Sequence, residues 1–188
     1  MATLIILGGL PGVGKTYTCK IIQKKVKSKF FDSDDFAKHS PLFKQVDVNK
    51  ISKADFDKIR FEFYKHKVAA IEALLKKHNV VVMDAVFDKD PMRKLFYNMI
   101  QNINGKLIIV EVIAPDEIVR NRILSDLSKT RPGANPKDRL KVYEMMRKDW
   151  QRIKIPILKR GFIKHYKLDS SKNVDTQVDR ILLRENLI

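Results

Sequence analysis

The chain of 188 residues has a single cysteine, Cys19, so no disulfide can form within one molecule. It has no run close to the roughly 18 apolar residues that a membrane-spanning helix needs. Residues 1–7 lack the charged start and the long apolar centre of a signal peptide. These absences exclude a small disulfide-stapled scaffold and an integral membrane protein. We therefore expect a cytoplasmic protein without a membrane partner, in which Cys19 is a small apolar residue of the core.

Acidic residues are the other shortage. The sequence has 22 Asp and Glu against 38 Lys and Arg, which gives a formal net charge of +16 at pH 7. A lysine-rich surface that is only solvated, or that is adapted to heat, favours matched acids, and these are missing here. A positive field of this size attracts phosphate-rich partners. The charge balance therefore favours a polyanionic partner.

Apolar segments with the character of buried strands alternate with amphipathic segments along the chain. No repeat or linker interrupts this order, so we predict that residues 1–188 form a single α/β domain. The alternation predicts a five-stranded, mainly parallel sheet with helices on both faces. Strands are predicted at residues 2–7, 30–31, 80–83, 106–114 and 162–168. A long basic helix is predicted from Pro136 to just before Gly161.

Three polar segments directly follow predicted strands, namely Gly9–Thr16, Asp32–Asp35 and Asp84. Ligands of parallel α/β sheets bind at the carboxyl ends of the strands. The three segments are therefore expected to meet at one edge of the sheet and to form a single site.

The first segment, GLPGVGKT, matches the phosphate-binding pattern G-x-x-x-x-G-K-[ST] at every fixed position. Glycines allow a left-handed backbone whose amides surround phosphate oxygens, and the following helix adds its N-terminal donors. Lys15 is expected to bridge the β- and γ-phosphates and Thr16 to bind Mg²⁺. The alternative, a plain turn between strand and helix, would not need the Lys-Thr pair. We predict an ATP or GTP site formed by Gly9, Pro11, Gly12, Val13, Gly14, Lys15, Thr16 and Tyr17.

The segment FFDSDDF supplies a candidate base for a phosphoryl acceptor. A carboxylate at Asp34, with Asp32 and Asp35 beside it, can accept the proton of an attacking hydroxyl and hold that hydroxyl in line. The alternative is that Ser33 or Asp34 only caps the next helix. Asp84 follows the strand VVVM and is expected to order Mg²⁺, with a helix cap as its alternative. No guanine-reading N-K-x-D motif follows a later strand, which favours a kinase over a switch GTPase.

A loop at about 128–136 lies between two predicted helices and contains Arg131 in a Pro/Gly-rich context, with Arg120 and Arg122 just upstream. This arrangement is typical of a mobile arginine lid, which closes over the transferred phosphate and excludes water. We predict Arg131 as the catalytic arginine of this lid and Arg122 as the next candidate.

Several segments, in chain order, resemble the P-loop 5′-hydroxyl polynucleotide kinases, whose relatives include the seryl-tRNA kinases and the zeta-toxin-like kinases. The matching segments are GGLPGVGKT, FDSDDF, VVVMDAVFDKDPMRK, EVIAPDEIVRNRI and PKDRLKVYEMM. The resemblance implies the three-layer P-loop fold of the nucleoside-monophosphate kinases, with ATP and Mg²⁺. It also implies that Asp34 is the general base and Arg131 the lid arginine. The chain departs from the family at Ala37, where an acceptor-binding Arg is usual, and at Val86-Phe87, which replace a polar pair.

The sequence thus predicts an ATP- and Mg²⁺-dependent kinase that phosphorylates a hydroxyl of a nucleic acid, with the 5′-OH end of RNA or DNA first. Two alternatives stay open. One is a P-loop kinase of a small metabolite, a nucleoside or an aminoacyl-tRNA. The other is a nucleic-acid-binding ATPase without kinase activity.

Overall fold

A computed structural model of the protein describes residues 1–43, 51–126, 135–156, 159 and 161–188. Strands and helices alternate through these residues. The strands are β1 (Thr3–Gly8), β2 (Lys29–Phe31), β3 (Val80–Ala85), β4 (Lys106–Ile113) and β5 (Ile163–Asp169). The α-helices are α1 (Lys15–Lys25), α2 (Ser33–His39), α3 (Lys53–Leu75), α4 (Asp90–Asn102), α5 (Asp116–Ser125), α6 (Pro136–Asp149) and α7 (Val174–Arg184).

The five strands form one sheet in the order β2-β3-β1-β4-β5, and every pairing in it is parallel. β1 lies at the centre, where Leu7 is in register with Asp84 of β3 and with Val110 of β4. This confirms the predicted α/β class and places the loop after β1 directly beside the end of β3. The candidate site therefore lies where the sequence pattern expects it.

Helices cover both faces of the sheet, and each face has its own apolar core. Alternate strand residues such as Leu4 and Met83 pack against α3 and α4 on one face. Their neighbours, such as Ile5 and Val82, pack against α1, α5 and α7 on the other. The three inner strands β1, β3 and β4 are buried on both sides along almost their whole length, so each appears in the sequence as a largely apolar run. Among the residues described, no helix has both the length and the apolar character needed to cross a bilayer.

The predicted long basic helix is too long, because α6 ends at Asp149. Trp150 is extended (φ −62°, ψ 121°), and the carbonyls of Gln151 and Arg152 accept hydrogen bonds from the guanidinium of Arg93. Arg93 is fully buried and also donates to the carbonyl of Phe87 at 2.9 Å. A buried guanidinium on α4 thus holds the chain after α6 in an extended form.

Candidate active site

The loop between β1 and α1 has the backbone of a phosphate cradle. Gly12 and Gly14 have positive φ values of 79° and 95°, and Gly14 is the residue that precedes α1. A Cβ at Gly12 would lie 2.7 Å from a side-chain carbon of Ile123 on α5. The glycine at this position is therefore required both by the backbone conformation and by the close packing of α5.

Lys15 lies across the mouth of this loop. Its Nζ donates hydrogen bonds of 2.9 Å to the carbonyls of Gly9 and Leu10. The ammonium and the N-terminus of α1 together concentrate positive charge at one point. That arrangement suits the phosphates of a nucleotide.

Among the other residues predicted to contact the nucleotide, Val13 is buried, Pro11 is half-buried and Tyr17 is 59% exposed. Val13 packs into the core beneath the loop, so its backbone rather than its side chain faces a ligand. All the predicted loop residues thus belong to one continuous segment around the cradle, and their contacts with a nucleotide stay a prediction.

Thr16 and Asp84 meet beside the cradle. The Thr16 hydroxyl donates a 3.1 Å hydrogen bond to Asp84 Oδ2, a contact that the pairing of β1 with β3 makes possible. Burial raises the pKa of the Asp84 carboxyl, and the nearby carboxylates of Asp34 and Asp32 add to the rise. Lys15 and the Thr16 hydroxyl act in the opposite direction.

These groups fit a magnesium ion. Mg²⁺ prefers oxygen ligands and is usually held by one or two carboxylates together with phosphates and water. The Thr16 hydroxyl and the Asp84 carboxylate are of this kind, and they already lie within hydrogen-bond distance of each other. No cluster of three or more His, Cys, Asp or Glu side chains with metal-site geometry occurs in the described part of the chain. The remaining ligands would therefore be phosphate and water oxygens.

Asp34 does not cap α2. The cap is Asp32, whose Oδ1 accepts hydrogen bonds from the backbone amides of Asp34 (3.0 Å) and Asp35 (2.9 Å). Ser33 is not the cap either, because its hydroxyl donates to the carbonyl of Asp84 at 2.6 Å. This bond fixes the start of α2 against the end of β3. The Asp34 carboxylate is exposed, accepts no hydrogen bond from a described residue, and acts electrostatically on Asp84.

Arg122 supports the cradle from the side of α5. Its Nη1 donates to the hydroxyl of Ser170 (2.8 Å) and its Nη2 to the Ser170 carbonyl (3.0 Å). The Ser170 hydroxyl in turn donates to the carbonyl of Val13 at 2.6 Å. Arg122 Nη1 also lies 3.6 Å from where a Cβ of Gly14 would be. Arg122 thus lies beside the start of α1.

Of the other two arginines predicted in or near the lid, the structure describes Arg120 but not Arg131. Arg120 is held by Asp116 and Glu144, at 2.8 and 2.6 Å, on the outer side of α5 and α6. Arg131 and the predicted lid up to residue 134 lie outside the described residues, so the role of Arg131 stays a prediction.

Two residues near the site were missed by the sequence patterns. Ser170 directly follows β5, and the rule that ligands gather at the carboxyl ends of strands could have indicated it. Lys67, on α3, is 3% exposed and feels the charges of Asp34 and Asp84. No pattern indicates it, since it is one of several lysines on its helix.

The parallel sheet, the glycine loop with Lys15 and Thr16, and Asp84 on the adjacent strand define the protein as a P-loop, kinase-like nucleotide-binding domain. A sequence model of the AAA domain family matches residues 5–144, and the chain belongs to that family.

One curated relative is the adenylate kinase isoenzyme 6 homolog FAP7 of Saccharomyces cerevisiae, which is 34% identical over 91 residues. That match covers 47% of this chain and 42% of the yeast protein, so the chain spans less than half of its relative.

Solved kinase structures share the fold over their full length. They are a sugar kinase from Janibacter sp. (15% identity, TM-score 0.68, covering 100% of this chain and 96% of that one), a gluconokinase from Sinorhizobium meliloti (17%, 0.66, 99% and 95%) and the APS kinase of Mycobacterium tuberculosis with AMPPNP and APS (15%, 0.63, 98% and 98%). At these identities the likeness concerns the fold. The narrower resemblance to polynucleotide kinases stays a prediction.

Proposed function

We propose that the protein is an ATP-dependent kinase that transfers the γ-phosphoryl group to a hydroxyl. The observation that carries this proposal is the contact between Thr16 and Asp84 beside Lys15. The carboxylate of Asp34, which does not cap α2, interacts electrostatically with the same Asp84. A nucleotide-binding loop alone is compatible with an ATPase. A second carboxylate that lies near Asp84 and does not cap a helix, namely Asp34, supports transfer to an acceptor hydroxyl.

In this mechanism Asp34 accepts the proton of the acceptor hydroxyl as its oxygen attacks the γ-phosphorus. A new O–P bond forms, the bond between the β–γ bridging oxygen and phosphorus breaks, and ADP leaves with the electron pair. Lys15 and the loop amides stabilise the negative charge on the transferred group and on the leaving phosphate. Mg²⁺, held by Thr16 and Asp84, would neutralise part of the triphosphate charge.

For the acceptor we propose a hydroxyl of a nucleic acid, with the 5′-OH end of RNA or DNA first. The net charge of +16 supports a polyanionic substrate. The order of matching segments that resembles the polynucleotide kinases supports the same choice. Arg131 would close over the phosphoryl group in this reaction, and Arg122 would support the cradle through Ser170.

A kinase of a small metabolite is the second candidate. The solved structures with the same fold bear the names of sugar, gluconate and APS kinases. The mechanism is unchanged in this case, because only the molecule that carries the hydroxyl differs.

The test is transfer of label from [γ-³²P]ATP to a panel of acceptors, namely 5′-OH oligonucleotides of RNA and DNA, nucleosides and sugars. Asp34→Asn is compared with Asp35→Asn, a matched control one residue further along α2. We expect transfer by the first variant to fall by roughly a hundred- to ten-thousandfold with ATP affinity kept, because that is the contribution of a general base. The control should stay within about twofold of the wild type.

The alternatives give different results. Labelled sugar with unlabelled oligonucleotide selects the small-metabolite kinase. Oligonucleotide-stimulated phosphate release without any labelled acceptor selects the plain ATPase and rejects the kinase. Full transfer by Asp34→Asn rejects Asp34 as the base.

A further inference from the structure

Lys67 is a buried cation that interacts electrostatically with Asp34 and Asp84 of the site. It lies on α3, is 3% exposed, and its Nζ is 4.8 Å from the ring centroid of Phe63 and 4.6 Å from that of Tyr64. The Phe63 ring also contacts the ring of Phe36 at 5.6 Å. Phe36 follows Asp34 by two residues on α2, so the aromatic bed of Lys67 is continuous with the helix that carries the candidate base.

The charges around Lys67 are those of the site. Asp84 and Asp34 attract its ammonium, whereas Arg60, two turns earlier on the same face of α3, repels it. None of the carboxylates in the described ranges lies within 4 Å of Lys67 Nζ, and no group in those ranges accepts a hydrogen bond from it. An ammonium has three N–H donors, and the contacts of this one in the described ranges are with the two aromatic rings. The oxygen atoms of a ligand can therefore accept hydrogen bonds from Lys67.

Arg60, on the same helix, is a useful comparison for Lys67 because its cation has a structural role. Its guanidinium is bonded to both carboxylate oxygens of the buried Asp88, at 2.7 and 3.3 Å. Among the described residues, Arg60 thus has a close carboxylate partner, whereas Lys67 has none within 4 Å. A buried cation that interacts with Asp34 and Asp84 and has no close partner in these ranges is suited to bind a ligand.

We propose that Lys67 binds a phosphate oxygen in this site, as a second phosphate-binding cation in addition to Lys15. The inference rests on the proposed function and names a further residue of the same site. The phosphate has two sources that share this chemistry, the γ-phosphate of the nucleotide and a phosphate on the acceptor next to its hydroxyl. In both cases the ligand oxygens complete the hydrogen bonding of the Lys67 ammonium.

The test measures equilibrium binding, so it does not depend on turnover. Wild type, Lys67→Met and the control Lys65→Met are titrated with Mg²⁺–ATP, with Mg²⁺–ADP and, in the presence of ADP, with uridine 3′-monophosphate. Lys65 is on the same helix and is 48% exposed. Lys67→Arg is included because it keeps the charge, and circular dichroism checks the fold of each variant.

If the γ-phosphate is the ligand, Lys67→Met should weaken ATP binding by about ten- to a hundredfold and leave ADP binding unchanged, as expected for a charge-assisted hydrogen bond. If the acceptor phosphate is the ligand, the same loss should appear for uridine 3′-monophosphate. Lys67→Arg should recover part of it, and Lys65→Met should bind like the wild type.

Wild-type affinities of Lys67→Met for all three ligands overturn the inference. So does an equal loss for ATP and ADP, which would indicate a general disturbance of the cradle. A wild type that transfers label to no acceptor, but whose ATP affinity depends on Lys67, refutes the proposed kinase and leaves the phosphate contact standing.

Discussion

Replacing Lys67 by methionine should make the free protein more stable. Burial lowers the pKa of Lys67 from an ordinary value of 10.5 to about 8, even though Asp84 and Asp34 oppose the change. One pKa step corresponds to about 1.36 kcal/mol, so holding this lysine charged in the folded state costs about 3 kcal/mol at pH 7. Contacts of the ammonium with the rings of Phe63 and Tyr64 offset about 1 to 2 kcal/mol of that.

The net gain expected from Lys67→Met is therefore about 1 to 2 kcal/mol. Methionine is unbranched and can fill the same space between the rings. For a chain of this size, 1 kcal/mol shifts the melting temperature by about 2–4 °C, so the variant should melt about 2–8 °C above the wild type at pH 7. Differential scanning calorimetry without nucleotide measures the shift, with Lys65→Met as the control.

The pH dependence gives a second check with a definite sign. Between a folded pKa of about 8 and an unfolded one of 10.5, the unfolded chain binds more protons than the folded one, so wild-type stability rises with pH relative to the variant. The cost is fully present below pH 8, falls to about half at pH 9.5, and is lost above the unfolded value. A variant that melts below the wild type at pH 7, or a gap that widens towards pH 9.5, would refute the idea that Lys67 is held at a cost in free energy.

Three further predictions concern the cradle, its support by Ser170, and the guanidinium of Arg93 that holds the chain after α6. Lys15→Ala should keep the fold, and its kinase activity should fall by several powers of ten in the labelled-ATP assay; near-full transfer would reject the cradle. Ser170→Ala should weaken ATP binding about three- to tenfold by calorimetry, because the loop loses one hydrogen bond at Val13, and an unchanged affinity would show that this support is dispensable. Arg93→Met should lower the free energy of unfolding in urea by about 3 kcal/mol or more, since buried carbonyls lose their donor; a change below about 1 kcal/mol would contradict the structural role given to this guanidinium.

The fold was predictable because each strand and helix is indicated by a pattern of neighbouring residues in the sequence. Strands buried on both faces appear as continuous apolar runs, and the observed β1 and β3 differ from the predicted strands by only one or two residues at their ends. The end of α6 was not predictable in this way. It depends on Arg93, which lies 58 residues before its hydrogen-bond partner Gln151, and a helical spacing of apolar residues carries no trace of that contact.

The residues of the candidate site likewise include some that local sequence patterns predict and others that depend on contacts between distant parts of the chain. Lys15 and Thr16 belong to a motif whose spacing is itself the geometry, and parallel pairing brings Asp84 to them. The capping alternative for Asp34 could be decided only by the backbone, which gives the cap to Asp32. Lys67 could not be found from the sequence, because a lysine that the fold buries and a lysine that is solvated can have the same neighbours along an amphipathic helix.

The two lysines of the site also differ in what ligand binding does for them. Lys15 already has carbonyl partners in the free protein, so a nucleotide exchanges one set of acceptors for another. Lys67 has no hydrogen-bond acceptor among the residues that the structure describes, and a phosphate beside it should remove much of the cost of its burial. By linkage, the ligand that contacts Lys67 must then stabilise the wild type more than it stabilises Lys67→Met. The melting shift produced by saturating Mg²⁺–ATP or by uridine 3′-monophosphate in each protein measures that difference, and equal shifts for both ligands would mean that Lys67 contacts neither.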